Sequence, residues 1–103
     1  MLETWTQATF TPHLGTTFQL HPESAPGLDV ELITVTPWSA HDAGGAAALR
    51  QRAPFSVIFR GPRTPILPQR IYTMEHAQLG VFALFLVPIG PDQHGMCYEA
   101  VFA

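Results

Sequence analysis

The sequence contains no lysine and little charge of either sign. Its five basic residues are all arginines, and charged residues make up 13% of the chain. The formal net charge is −3, so the molecule as a whole has no general attraction for nucleic acid or for an anionic membrane. We therefore expect neither a nucleic-acid partner nor a membrane partner. The hydrophobic fraction of 47% is typical of a folded chain rather than a disordered one.

Cysteine is almost absent as well. Cys97 is the single cysteine, which excludes an intramolecular disulfide and a cysteine-based zinc site. We expect it to be a small buried side chain in a strand. The five histidines show neither HExxH nor HxH spacing, so we predict no metal and no cofactor, and we expect local, solvated histidines.

Long hydrophobic runs are also missing. The longest run, residues 81–87, has the length of a strand, whereas a membrane helix needs roughly 18 to 20 apolar residues. The first ten residues, MLETWTQATF, lack the basic region and the long apolar core of a secretory signal. A cytoplasmic location is expected, either alone or as part of an assembled particle.

What the sequence does contain is frequent turn residues between short apolar segments. Ten prolines and eight glycines occur without an internal repeat, and 103 residues fit a single domain, 1–103. The pattern predicts an all-β fold: a small, mostly antiparallel six-stranded barrel or sandwich with a short N-terminal helical turn at 11–15. The predicted strands are 16–21, 29–36, 55–60, 71–76, 81–87 and 96–102.

Three local patterns sharpen this prediction. The alternation of apolar residues slips at Leu32 and Ile33, which indicates a bulge or burial on both faces of the second strand. The fifth strand is apolar at every position, so we expect it to be buried on both faces, with Phe85 in the core. Residues 37–53 lose all periodicity and are predicted to form a long mobile excursion.

The arginines are the most prominent candidates for binding. All of them lie between Arg50 and Arg70, in a stretch without an acid, and prolines stiffen the loop at 60–65. Guanidinium groups held in a rigid loop suit bidentate binding of carboxylates on a partner. The alternative is structural: the loop only crosses the end of the barrel, with Ile66 and Leu67 buried beneath it. The predicted partner-binding residues are Trp38, Arg50, Arg52, Arg60, Arg63 and Arg70.

Five short motifs occur in a fixed order: FRGP, LPQ, Y..EH..LG, LFLVP and a terminal YEAVF. In these motifs the chain resembles a family of short bacterial proteins of unassigned function, closely over residues 54–102 and more loosely before them. The resemblance implies no catalytic residue. It implies a small accessory or assembly component of a phage-tail-like particle.

We therefore predict a non-catalytic assembly module that binds a protein partner or forms a homo-oligomer, with an exposed sheet edge as a further binding surface. The alternative is a small ligand-binding barrel or enzyme with a site near Arg60, Glu75 and His76. Glu75 and His76 are neighbours on a strand and point to opposite faces, so they cannot form a dyad with each other. We expect Glu75 to pair with Arg60 or Arg70.

Overall fold

A computed structural model describes residues 5–23, 26–37 and 54–102. Within them lie six strands and one short helix, and the strands pair antiparallel in the order β1-β2-β3-β6-β5-β4 to form a closed barrel. The all-β prediction is confirmed, and of its two architectures the barrel is correct. The strands are β1 Thr17–His21, β2 Leu28–Pro37, β3 Phe55–Gly61, β4 Arg70–His76, β5 Gly80–Pro91 and β6 Met96–Phe102.

Pairing between the first and fourth strands closes the barrel. β1 pairs with β2 through Phe18 and Val30 and with β4 through Leu20 and Met74. Because each of these six strands then has a neighbour on both sides, the described part of the chain leaves no exposed sheet edge, and the expectation of one is wrong there. The predicted excursion at 37–53 lies outside the described residues except for Pro37, which ends β2 opposite Phe55.

Alternation of inward and outward side chains along the strands fills the barrel interior. In β5 the side chains of Phe82, Leu84 and Leu86 are buried, while Val81 and Phe85 point outward. The expectation that β5 is buried on both faces is therefore wrong. Cys97 is buried in β6, as predicted. The fully buried side chains form one continuous core and include Phe10, Phe18, Leu20, Val30, Leu32, Phe55, Val57, Phe59, Met74, Leu86 and Tyr98.

The slip in the second strand is a bulge. The register of β2 against β3 shifts between Leu32 and Thr34. Ile33 is the extra residue, and the alternation of inward and outward side chains changes phase after it. A second shift lies between Pro88 and Gly90, where β5 pairs with β6. Such irregularities let short strands bend around a narrow barrel.

Aromatic side chains from the N-terminal segment close one end of the barrel, called here the plugged end. A helix, α1 at Gln7–Phe10, is followed by a 3₁₀ turn at Thr11–His13, so the helical turn begins earlier than predicted. The Phe10 ring lies 5.3 Å from the Phe102 ring, and the Trp5 ring lies 4.9 Å from the Phe82 ring. These contacts seal the core at the starts of β3 and β5.

At the opposite end, called here the loop end, the proline-rich segment after β3 covers the core. Leu67 is buried, and its backbone N–H donates a hydrogen bond of 3.0 Å to the Tyr98 hydroxyl. Ile66, by contrast, is 61% exposed. Of the two residues expected to plug the barrel, only Leu67 does so.

Candidate interaction surface

Two of the predicted binding arginines are engaged within the chain. Arg60 lies at the loop end of β3, and its Nε and Nη2 atoms lie 2.8 Å and 2.7 Å from Oδ2 of Asp92. The other carboxylate oxygen of Asp92 accepts hydrogen bonds from the backbone N–H groups of His94 and Gly95, at 2.8 Å and 3.0 Å. Asp92 therefore joins β3 to the turn between β5 and β6. The Arg60 guanidinium and these N–H groups hold the pKa of the Asp92 carboxyl well below its usual range.

Arg63 strengthens the same connection from the loop. Its Nη2 atom donates to the backbone carbonyl oxygens of Asp92 and Gln93, at 3.1 Å and 3.4 Å. The arginine-proline loop is thus attached to the turn at 92–95, which is a structural use of both guanidinium groups. A role for Arg60 or Arg63 in binding a partner stays a prediction, and it would require a carboxylate to compete with these internal acceptors.

The remaining predicted binding residues fall into two groups. Arg70 is half exposed at the start of β4, and its Nη1 atom lies 3.9 Å from a carboxylate oxygen of Glu23. An ion pair between exposed side chains at this distance contributes little to stability, so Arg70 remains available to other partners. Trp38, Arg50 and Arg52 lie outside the described residues.

Arg60, Glu75 and His76 do not come together. Arg60 lies on β3 and the other two on β4, and these strands are three positions apart in either direction around the barrel. Glu75 points outward and lies 3.3 Å from the ring of His21, so the expected pairing with an arginine is wrong. His76 points inward, as the opposite-face argument predicted.

His76 is buried and fully hydrogen-bonded, contrary to the expectation of solvated histidines. Its Nδ1 atom accepts the backbone N–H groups of Gln78 and Leu79, at 3.1 Å and 3.3 Å. Because Nδ1 is an acceptor, the neutral ring carries its proton on Nε2, which lies 3.0 Å from the Thr16 hydroxyl. That hydroxyl donates in turn to the carbonyl oxygen of His13, at 2.6 Å. The ring therefore joins the β4–β5 turn to the N-terminal plug.

The neutral form of His76 is the one that the fold requires. Burial lowers the pKa of this imidazole from its ordinary value of 6.5, and the neighbouring His13 lowers it further. A proton on Nδ1 would face two N–H donors at the turn.

Stability should therefore depend on pH through His76. The ring of His76 binds a proton more readily in the unfolded chain than in the folded one. The stability that depends on its neutral form is therefore fully present above pH 6.5, and the free energy of unfolding falls as the pH drops below that value. Urea unfolding between about pH 8 and about pH 5 measures this slope. His76→Gln should be less stable than wild type at high pH, and its stability should depend less steeply on pH. An unchanged slope in His76→Gln would contradict this assignment.

An open groove of about 330 Å³ runs along the outside of β1, β2 and β3 near the loop end. Asp29, Glu31 and Arg60 are among its lining residues, and Arg60 is already bound to Asp92. Within the described ranges, no three His, Cys, Asp or Glu side chains are arranged to bind a metal ion. No helix in the same parts of the chain is long and apolar enough to cross a membrane.

The most unusual surface is the outer side of β4 and β5. We call it the β4–β5 face and define it by the outward residues of three cross-strand pairs. The pairs are Ile71 with Phe85, Thr73 with Ala83, and Glu75 with Val81. Large apolar side chains dominate it: Ile71 is 67% exposed, Val81 59% and Phe85 48%. Neighbouring exposed apolar side chains of this kind are more frequent at binding surfaces than on the rest of a small domain.

Sequence reasoning missed this face, although its signal is visible. The run VFALFLV in β5 is apolar at every position, which is also the pattern of a strand buried on both sides. Only the barrel closure shows that Val81 and Phe85 lie on its outer side, where both are exposed. The available signal was that Phe85 lies in phase with Val81 and Ala83, so that these residues share one face of the strand.

The fold and its surface define a class: a small, closed antiparallel β-barrel domain with an N-terminal helical plug and an apolar outer face. The chain belongs to the family DUF6916, a domain of unknown function, which it matches over residues 5–102. The match runs from the first described residue of the plug to the end of β6. No curated protein and no solved structure matches the chain.

Proposed function

We propose that this protein is a non-catalytic assembly module that binds protein through the β4–β5 face. The observation that supports this role is that Ile71, Val81 and Phe85 are all exposed on the outer side of two paired strands, with Ile71 directly opposite Phe85. Burying such side chains on association stabilises the complex by roughly 25 cal/mol for each Å² of apolar area removed from water. Glu75, opposite Val81 at one end of the face, would place a polar group at the margin of the contact, as in many protein interfaces.

The rigidity of the barrel favours the same role. β4 and β5 form seven consecutive cross-strand pairs, from Arg70 with Leu86 to His76 with Gly80. The outward side chains are therefore held on a fixed backbone, and binding costs little conformational entropy.

The proposed setting is an accessory position in a phage-tail-like particle, assembled in the cytoplasm. The support for it is the resemblance carried by FRGP, LPQ, Y..EH..LG, LFLVP and YEAVF. A component of such a particle needs a stable fold with a docking surface rather than a catalytic pocket. The barrel and its apolar face meet that requirement.

Affinity capture from the native host tests the proposal. The tagged wild-type chain should recover a defined set of structural proteins or further copies of itself, and Phe85→Glu should lose them. A carboxylate at that position would have to be desolvated in the complex, which costs several kcal/mol when it is unpaired. Ile66→Glu is the matched control, since it changes an exposed apolar residue on the loop-end segment.

One outcome of this experiment would contradict the proposal. Identical captured proteins with wild type and Phe85→Glu would show that the β4–β5 face is not the binding surface. Loss of capture in Ile66→Glu as well would indicate a general effect of added charge. Circular dichroism should show that both variants remain folded, because both side chains point away from the core.

A further inference from the structure

The ring of His76 is held between two segments that are far apart in sequence. On one side, its Nδ1 atom accepts the backbone N–H groups of Gln78 and Leu79, in the turn between β4 and β5. On the other side, its Nε2 atom lies 3.0 Å from the Thr16 hydroxyl, and its ring centre lies 4.6 Å from that of His13. One buried imidazole therefore connects the turn to the segment that seals the plugged end.

From this arrangement we infer that protonation of His76 detaches the N-terminal plug, residues 5–16, while the strands of the barrel stay paired. The inference goes beyond the proposed function and does not depend on the β4–β5 face. It assigns the loss of stability in acid to one segment rather than to the whole fold.

The charged ring cannot keep its contacts on both sides. With a proton on each nitrogen, Nδ1 becomes a donor and faces the two backbone N–H groups of the turn, which are donors as well. The turn is closed at its base by the pairing of His76 with Gly80, so the smallest movement that relieves this conflict is a rotation of the side chain. Because the Thr16 hydroxyl and the His13 ring contact the same imidazole, that rotation also breaks its contacts with the plug.

His13 is the titratable side chain that faces His76 from the plug, and its charge would oppose a charge on His76. Two imidazolium rings with centres 4.6 Å apart repel each other, and burial of His76 limits screening by water. Burial first, and His13 second, lower the pKa of the His76 imidazole. From β1 the ring faces Phe18, which does not titrate. Glu75 points outward to His21, and among the described residues no carboxylate forms an ion pair with His76.

The plug is the part of the fold that can leave without breaking a strand pair, because β1 to β6 alone form the closed barrel. α1 has four residues, too few to be stable in isolation, so its helical turn depends on contacts with the barrel. Two backbone hydrogen bonds with Leu32, at 2.8 Å and 3.2 Å, join the last residues of the plug to β2. Burial of Trp5 and Phe10 keeps the plug closed while His76 is neutral. A segment with so few backbone contacts opens before the paired strands do.

Hydrogen exchange of backbone amides at about pH 8 and about pH 5, corrected for the intrinsic effect of pH on exchange, tests the inference. The plug amides of Thr9, Leu14 and Gly15, which are hydrogen-bonded in the closed form, should lose protection in acid. Amides of the paired strands β3 and β6 should lose less, because their exchange requires the barrel to separate. Equal losses in the plug and in these strands would mean that acid unfolds the whole chain. That outcome overturns the inference, and so does plug protection that is unchanged by acid.

Two variants assign the effect to the two rings. His76→Gln removes the titrating group, so the protection of its plug should not fall in acid beyond that of β3 and β6. His13→Phe keeps an aromatic ring at the contact and removes the repulsion, so its plug should lose less protection in acid than that of wild type. His13→Phe also keeps the test decisive if His76→Gln opens the plug at both pH values. A loss of plug protection equal to that of wild type, in either variant, overturns the inference.

Discussion

Phe82→Ala should lower the free energy of unfolding by about 3 to 5 kcal/mol, the usual cost of truncating a buried phenylalanine. Phe82 is 6% exposed on the inner face of β5. Its ring lies 4.9 Å from that of Trp5 and 6.3 Å from that of Phe18, so its removal leaves a cavity between the plug and the barrel. A well-packed aromatic cluster of this kind relaxes poorly around a void.

Phe85→Ala, on the same strand, should cost less than about 1 kcal/mol in the monomer, the range of surface substitutions. Phe85 is 48% exposed and faces outward. Comparing the two variants tests the orientation of β5 with the same chemical change on each side. Urea unfolding at low micromolar concentration isolates the monomer, since a dimer formed through Phe85 would add a concentration-dependent contribution.

The opposite ranking would reverse the faces of β5. If Phe85→Ala were the costly change and Phe82→Ala nearly neutral, the register with β4 would be displaced by one residue, which exchanges every inward and outward side chain. The β4–β5 face would then be part of the core. Equal, large costs would mean that β5 is covered on both sides.

Much of the fold could be predicted because strand signals are local. Turn residues bound each apolar segment, and Phe55, Val57 and Phe59 of β3 recur at every second position and are buried. The bulge at Ile33 was visible as a break in the alternation. The helix at the plugged end was predicted too late because Trp5 and Phe10 are held by contacts with distant strands rather than by a strong local helical pattern.

The site was harder to predict because it depends on which strands become neighbours. The clustering of arginines in sequence gave no indication that Asp92 would lie beside Arg60. Similarly, no local pattern shows that β1 and β4 pair, and this pairing removes the sheet edge and places Glu75 beside His21 rather than an arginine. Contacts between residues far apart in sequence are fixed by the global topology, which short motifs do not encode.

Gly95→Ala should cost roughly 3 kcal/mol or more, at the upper end of overpacking effects. A methyl group at Gly95 would overlap the backbone carbonyl oxygen of Gly61 and would lie 3.1 Å from the Cγ atom of Arg60. Because the first obstacle is backbone, the ends of β3 and β6 would have to separate. That movement would pull Gly95 from Asp92, to which it is joined by hydrogen bonds of 2.8 Å and 3.0 Å.

Gly15→Ala provides the comparison. Gly15 has a φ of +82° and nothing within 4 Å of an added methyl group, so the variant should lose only about 1 kcal/mol through backbone strain. Thermal and urea unfolding of both variants measure the difference. A cost for Gly95→Ala no greater than that for Gly15→Ala would show that β3 and β6 are not tightly apposed at the loop end. The Arg60–Asp92 connection would then be a consequence of surface proximity rather than of close backbone packing.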